Sequence, residues 1–153
     1  MKKLLFILMI MCFIPAFGFA DEVDDVLPSD TPAKVKESAR QAIGLGVESQ
    51  GVIKMTKTML ENKYTEKQMI AAHEVLKKAR RQELDTEPIM NRFNEGVAKK
   101  EKAKSNVKAM EKVRANYETA NGLAGKMTQE KAQVKAMTKE MAECMNAGIT
   151  KKN

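Results

Sequence analysis

Apolar residues fall at two spacings along this chain. From Leu4 to Phe17 they run on, broken only by Pro15, whereas beyond Pro32 they recur every three to four positions. The second pattern is that of amphipathic helices. Val35, Ala39, Ala42 and Ile43 form a first stripe, closed by Gly44-Leu45-Gly46, and Val52, Met55, Met59 and Leu60 form a second. Met69, Ala72, Leu76 and Ala79 make a third, and Ile89, Met90, Phe93 and Val97 a fourth. Val107, Met110, Val113, Tyr117 and Ala124 make a fifth, and Val134, Met137, Met141, Cys144 and Met145 a sixth. No segment alternates with the period of two that a half-buried strand requires. The pattern predicts one all-α domain over 33–153, with about six helices as stacked helical hairpins (solenoid-like) or an irregular bundle.

Helix starts recur as well. Ser49 stands where it could cap the second stripe, and Thr65, Thr86 and Thr128 each precede an acidic or amide residue, so that a hydroxyl can accept from a first-turn N–H. Pro88 fits inside a first turn, where its missing N–H costs little. The Thr spacing suggests one helix plus one turn about every 21 residues, so that two periods make a helical hairpin. Near the end, Asn146-Ala147-Gly148 reads as a helix stop and Ile149-Thr150 as another start.

The apolar run at the start has a different use. Lys2 and Lys3 precede it, Gly18-Phe19-Ala20 puts small residues at the two positions a signal peptidase reads, and Asp21 follows. This predicts a signal peptide over 1–20, cleaved after Ala20, and a periplasmic or secreted mature chain. Residues 21–32 carry five acidic side chains with Pro28 and Pro32, and are expected to form a flexible acidic leader. Loss of Lys2 and Lys3 lowers the net charge from +7 to +5, and setting the leader aside raises the remainder to about +10.

That positive charge gathers in two places. Lys77, Lys78, Arg80 and Arg81 form one cluster, and Lys99, Lys100, Lys102 and Lys104 another. They are the candidate partner-binding residues, foremost Lys77, Lys78, Arg80, Arg81, Lys99 and Lys100, pictured as a basic rim around a concave apolar face. Export and near-absent aromatics exclude nucleic acid, since Tyr64, Phe93 and Tyr117 are the only aromatic residues after Phe19. Anionic envelope surfaces remain possible peripheral contacts.

Chemistry beyond charge is sparse. His73 is the sole histidine and lies beside the third stripe, with Glu74 about 100° away on the same helix. No Gly-x-Ser-x-Gly turn, phosphate loop, zinc cluster or EF-hand loop occurs, so catalysis is the least supported class and no cofactor is implied. Nine of the 12 methionines follow residue 20; Met137, Met141 and Met145, with Met69 and His73, could offer soft ligands to Cu(I). The same positions are the core stripes, where Met fills irregular helical packing, and core is the first reading. Cys144, the only thiol after Cys12, reads as a small buried residue or as an intermolecular disulfide partner.

Tyr64-Thr65-Glu66-Lys67-Gln68, Asp85-Thr86-Glu87-Pro88-Ile89, Glu95-Gly96-Val97-Ala98-Lys99 and Ala109-Met110-Glu111-Lys112-Val113-Arg114 resemble segments of a loosely defined group of bacterial secreted α-helical proteins. Lys100-Glu101-Lys102 stands where that group has a Gly-Val-Pro-like turn. The resemblance implies a helical envelope protein and no particular activity. Thr65-x-x-Gln68 is similar to part of the Leu-Thr-x-x-Gln signature of periplasmic stress chaperones, with Tyr64 in place of Leu. The resulting expectation is a non-catalytic scaffold or adaptor that binds a protein partner in the cell envelope. The alternatives are a stress chaperone that shields unfolded clients with Met-rich surface, and Cu(I) binding. Oligomeric state is left open.

Overall fold

Seven helices and no strand make up residues 19–148, the part that the computed structural model describes. They are α1 (Phe19–Val26), α2 (Ala33–Gly44), α3 (Ser49–Glu61), α4 (Glu66–Arg81), α5 (Glu87–Ala98), α6 (Ala103–Met127) and α7 (Lys131–Asn146). The all-α architecture matches the periodicity. Each predicted stripe lies on a helix, and the largest buried side chains, among them Met59, Leu76, Ile89, Phe93 and Met110, belong to stripes two to five. The signal segment lies outside the described residues except for its last two, and Ile149-Thr150 lies outside them altogether.

The additional helix corrects one expectation. Residues 21–32, expected as a flexible leader, hold most of a helix: α1 packs on α2, with Val23 and, just past the helix end, Leu27 buried at i, i+4 spacing. Its acidic side chains are also engaged, Asp24 with Lys36 and Arg40 and Glu22 with the Ser49 hydroxyl at 2.7 Å.

α2, α4 and α6 pack side by side, while α3 packs against α2, α4 and α5, and α5 against α6. The turns show what repeats. Gly46, Lys63, Glu83 and Lys100 all adopt positive φ, and the N–H of the following residue reaches back five positions to the carbonyl of Ala42, Met59, Ala79 or Gly96. This is the Schellman motif, in which one left-handed residue lets the last orphan carbonyls be satisfied and the next side chain turn inward. Val47, Tyr64 and Leu84 do turn inward and are buried. Gly46 to Glu83 and Lys63 to Lys100 are each 37 residues, so the structural unit is a 37-residue helical hairpin rather than the sum of two 21-residue periods.

A charged ladder keeps the same period. Glu37-x-x-Arg40 on α2, Glu74-x-x-Lys77 on α4 and Glu111-x-x-Arg114 on α6 place a cation one turn after a carboxylate, 37 residues apart. Each cation also reaches the element before it: Arg40 to Asp24, Lys77 to Gln41 at 2.7 Å, and Arg114 to Gln82 at 2.6 Å.

Of the predicted caps, Thr65 alone makes the predicted bond, in a reciprocal box with Gln68. Glu48 rather than Ser49 caps α3, Asp85 rather than Thr86 accepts from the Glu87 N–H, and Glu130 rather than Thr128 stands at the cap position of α7.

Candidate interaction groove

The repeat breaks after α6. At the place where α4 turns at Glu83, α6 carries Ala120 in unbroken helix and runs on to Met127. α7 then folds back on α6 through small residues: Ala120, Ala124 and Ala142 are fully buried, and Thr138 nearly so. The Thr138 hydroxyl donates to the Val134 carbonyl at 2.7 Å, and Asn116 donates to Asn146 at 2.7 Å. α5 and α7 both pack on α6 but not closely on one another. A groove of about 1420 Å³ separates them, floored by Ala109, Val113, Tyr117 and Asn121 of α6.

Its walls are mainly of opposite charge. On one side stand Glu83 and Asp85 of the α4–α5 turn with Glu87 and Glu95 of α5, Arg80 and Arg92 among them; on the other stand Lys131, Lys135 and Lys139 of α7, one turn apart, followed by Glu143, while Lys112 of α6 lines the groove between them. Of the charges on the acidic side, Arg92 is held by Glu101 at 2.8 Å, Arg80 lies 3.4 Å from the Leu45 carbonyl, and Glu95 is paired with Lys99 at 3.8 Å. Among the described residues no ion pair within 4 Å spans the groove. Tyr117 is 97% buried at the floor. Burial pushes the phenol upward, and the negative charges of Glu143, Asp85 and Glu87, which line the same groove, push it further.

The residues singled out from sequence are dispersed. Lys77 is not a rim residue: it is buried between α2 and α4, with Glu74 at 2.5 Å and Gln41 as its partners. Arg80 lies across the α2–α3 turn, 3.4 Å from the Leu45 carbonyl, and also edges the groove. Lys78 and Arg81 are exposed at the end of α4, and Lys99 and Lys100 are exposed at the far end of α5. Because α5 is 12 residues long, the two clusters stand roughly 18 Å apart at opposite ends of the hairpin and cannot form one rim. No methionine lines the groove.

The soft-ligand set is divided in the same way. Met69 and His73 are buried on α4, whereas Met137, Met141 and Met145 are half-buried on α7, with α6 packed against both helices. Cys144 is exposed, which corrects its reading as a buried residue. Among the described residues no group of three or more His, Cys, Asp or Glu side chains is placed to hold a metal ion.

His73 is structural in its contacts. The Thr56 hydroxyl donates to the Val52 carbonyl at 2.7 Å, so its oxygen is left to accept from His73 Nε2 at 2.9 Å. That assigns the proton to Nε2 and leaves Nδ1 buried without a partner. Burial holds the imidazole down at about 4, with Lys77 lowering it further and Glu74 opposing.

Sequence reasoning passed over Tyr117, Asp85, Glu87 and the Lys131, Lys135, Lys139 stripe as functional residues. The i, i+4, i+8 lysines were visible as a pattern; that carboxylates face them was not, because it depends on where α7 comes to rest. No described helix is long and apolar enough to cross a membrane. Comparison with known family models, with curated proteins and with solved structures finds no match.

Proposed function

We propose that this chain is an exported, non-catalytic helical adaptor of the cell envelope that holds a protein partner in the α5–α7 groove. The observation that carries this reading is the groove itself: about 1420 Å³, walled mainly by opposite charges that do not pair across it and floored by the buried Tyr117. Small-molecule sites measure about 300–1,000 Å³ and carry few charged groups, so this size and charged lining suit a protein segment better. The chaperone alternative draws less support, because among the described residues the large exposed apolar side chains, Val26, Leu45, Leu123 and Met127, are few. Export rests on the first 20 residues, and N-terminal sequencing of the mature protein should begin at Asp21.

The functional test places a photo-cross-linking amino acid at Ala136, which lines the groove, or at the exposed Lys54 of α3, in intact cells. One dominant partner captured from position 136 and not from 54 supports the adaptor. A smear of unrelated proteins captured from both positions replaces it with the chaperone reading.

A further inference from the structure

The partner's chemistry can be read from the walls. We infer that the segment the groove takes is an α-helix with carboxylates along one flank and Lys or Arg along the other, lying on α6 between α5 and α7. This rests on the adaptor reading and specifies it. Three features argue for a helix. The walls are themselves two helices that share α6 as their floor, the arrangement of helix-in-groove recognition. Along the outer row α5 already packs against α3 on one side, and on its other side the groove lies where a further helix of that row would stack. Lys131, Lys135 and Lys139 repeat at one helical turn, the spacing of carboxylates on the flank of a facing helix.

Charge then fixes the two flanks. The α7 lysines have no carboxylate within 4 Å among the described residues and demand anions; Glu83, Asp85 and Glu87 have no cation within 4 Å among the described residues and demand cations, while Glu95 already holds Lys99 at 3.8 Å. A purely acidic ligand would satisfy one wall and be repelled by the other, and a purely basic one the reverse. Tyr117 shares the groove lining with Asp85, Glu87 and Glu143, so an ammonium or guanidinium of the occupant that reaches the floor meets a phenol and carboxylates together. That floor position is the anchor of the site.

The probe is a labelled 14-residue helical peptide with an alanine and leucine ridge, Glu on one flank and Lys on the other, titrated against the full mature protein by fluorescence anisotropy. All-Glu and all-Lys peptides of the same ridge are the comparisons. The two-signed peptide should bind saturably and at least about tenfold more tightly than either comparison, with the margin shrinking as salt is raised. The paired change Lys135→Glu and Lys139→Glu should abolish that preference. Tyr117→Phe, which keeps the ring, should weaken the two-signed peptide about threefold to tenfold without moving the melting temperature. Equal or tighter binding of the all-Glu peptide would overturn the inference and leave a plain anion-binding stripe, and so would no saturable binding by any peptide. If position 136 still captures one partner in cells while the peptides fail, the adaptor stands and the two-signed helix falls; if both fail, the adaptor falls as well.

Discussion

The two seams that join outer to inner helices, α3 with α4 and α5 with α6, occupy equivalent places in the 37-residue repeat and solve the same packing problem with different chemistry. In the first seam Met59 and Met69 are buried where the second has Gly96 and Asn106. In the first seam Thr56 and His73 form a buried polar pair where the second has Phe93 and Met110. Each seam thus carries one polar device and one apolar layer, in exchanged positions. Asn106 donates to the Phe93 carbonyl at 3.0 Å and to the Tyr64 hydroxyl at 3.1 Å, tying α6 to α5 and to the α3–α4 turn. The repeat conserves where side chains are buried; it does not conserve what they are.

Acid should separate the seams most. His73 is neutral when folded and titrates near 4, against 6.5 in an unfolded chain. Between those values the unfolded state binds more protons, so stability rises with pH; the contribution is complete above about 6.5 and is lost as pH falls through 4. A depression of this size corresponds to about 3 kcal/mol. Urea unfolding of the wild type and of His73→Met, which gives the first seam the second's residue, should show the variant losing less stability between pH 7 and pH 4. Parallel losses in the two proteins would mean that the polar pair does not set the acid response.

Space should separate them next. A Cβ on Gly96 would stand 2.1 Å from Asn106 Oδ1, a distance no real contact tolerates, so Gly96→Ala must displace the asparagine and its two hydrogen bonds. We expect a loss of about 2–3 kcal/mol, read as a lower urea midpoint. In an Asn106→Ala background the same substitution should cost much less, because the clashing group is gone. Additive losses would break the assignment of Gly96 as the space that Asn106 needs.

These two seams also explain how far the sequence could be read. Stripes such as Val52, Met55 and Met59 gave the helices, because burial on one face imposes a 3.6-residue period whatever the neighbours are. The 37-residue unit stayed hidden because Thr56 corresponds to Phe93 and His73 to Met110, so equivalent positions share burial and not letters. α1 was missed because two apolar residues, Val23 and Leu27, among five acids are too few to mark a helix until α2 supplies the surface they cover. Lys77 looked like part of a surface cluster because its burial depends on Gln41, 36 residues away. The groove depends on where α6 fails to turn, which is decided by helix packing and not by a local motif.

The charged ladder offers a finer comparison. Lys77 has two partners, Glu74 and Gln41, and Arg114 has three, Glu111, Glu118 and Gln82. The carboxylates of both sets are partly exposed, so water screens them and the net values are modest. Lys77→Met should cost about 1 kcal/mol and Arg114→Met slightly more, since the guanidinium holds the amide and two carboxylates in one plane. Equal values would mean that the extra carboxylate of Arg114 adds nothing.

The smallest effects should come from the turns, and there the comparison becomes a matter of sign. Gly46 and Glu83 occupy the same left-handed position one repeat apart, at φ 87° and 56°. An L side chain in that region costs about 1–2 kcal/mol, which glycine avoids, although glycine also gives the unfolded chain more freedom to lose. Gly46→Ala adds a Cβ at positive φ and 3.1 Å from the Arg80 guanidinium, and should destabilise the protein by about 1 kcal/mol. Glu83→Gly should act in the opposite direction, by about 0.5 kcal/mol, because Glu83 is exposed and its backbone conformation is the one glycine prefers. Thermal melts of the two variants, moving to opposite sides of the wild type, are the expected result. Two melts that move down together would show that the Glu83 side chain, on the acidic wall of the groove, stabilises the turn more than its backbone strains it.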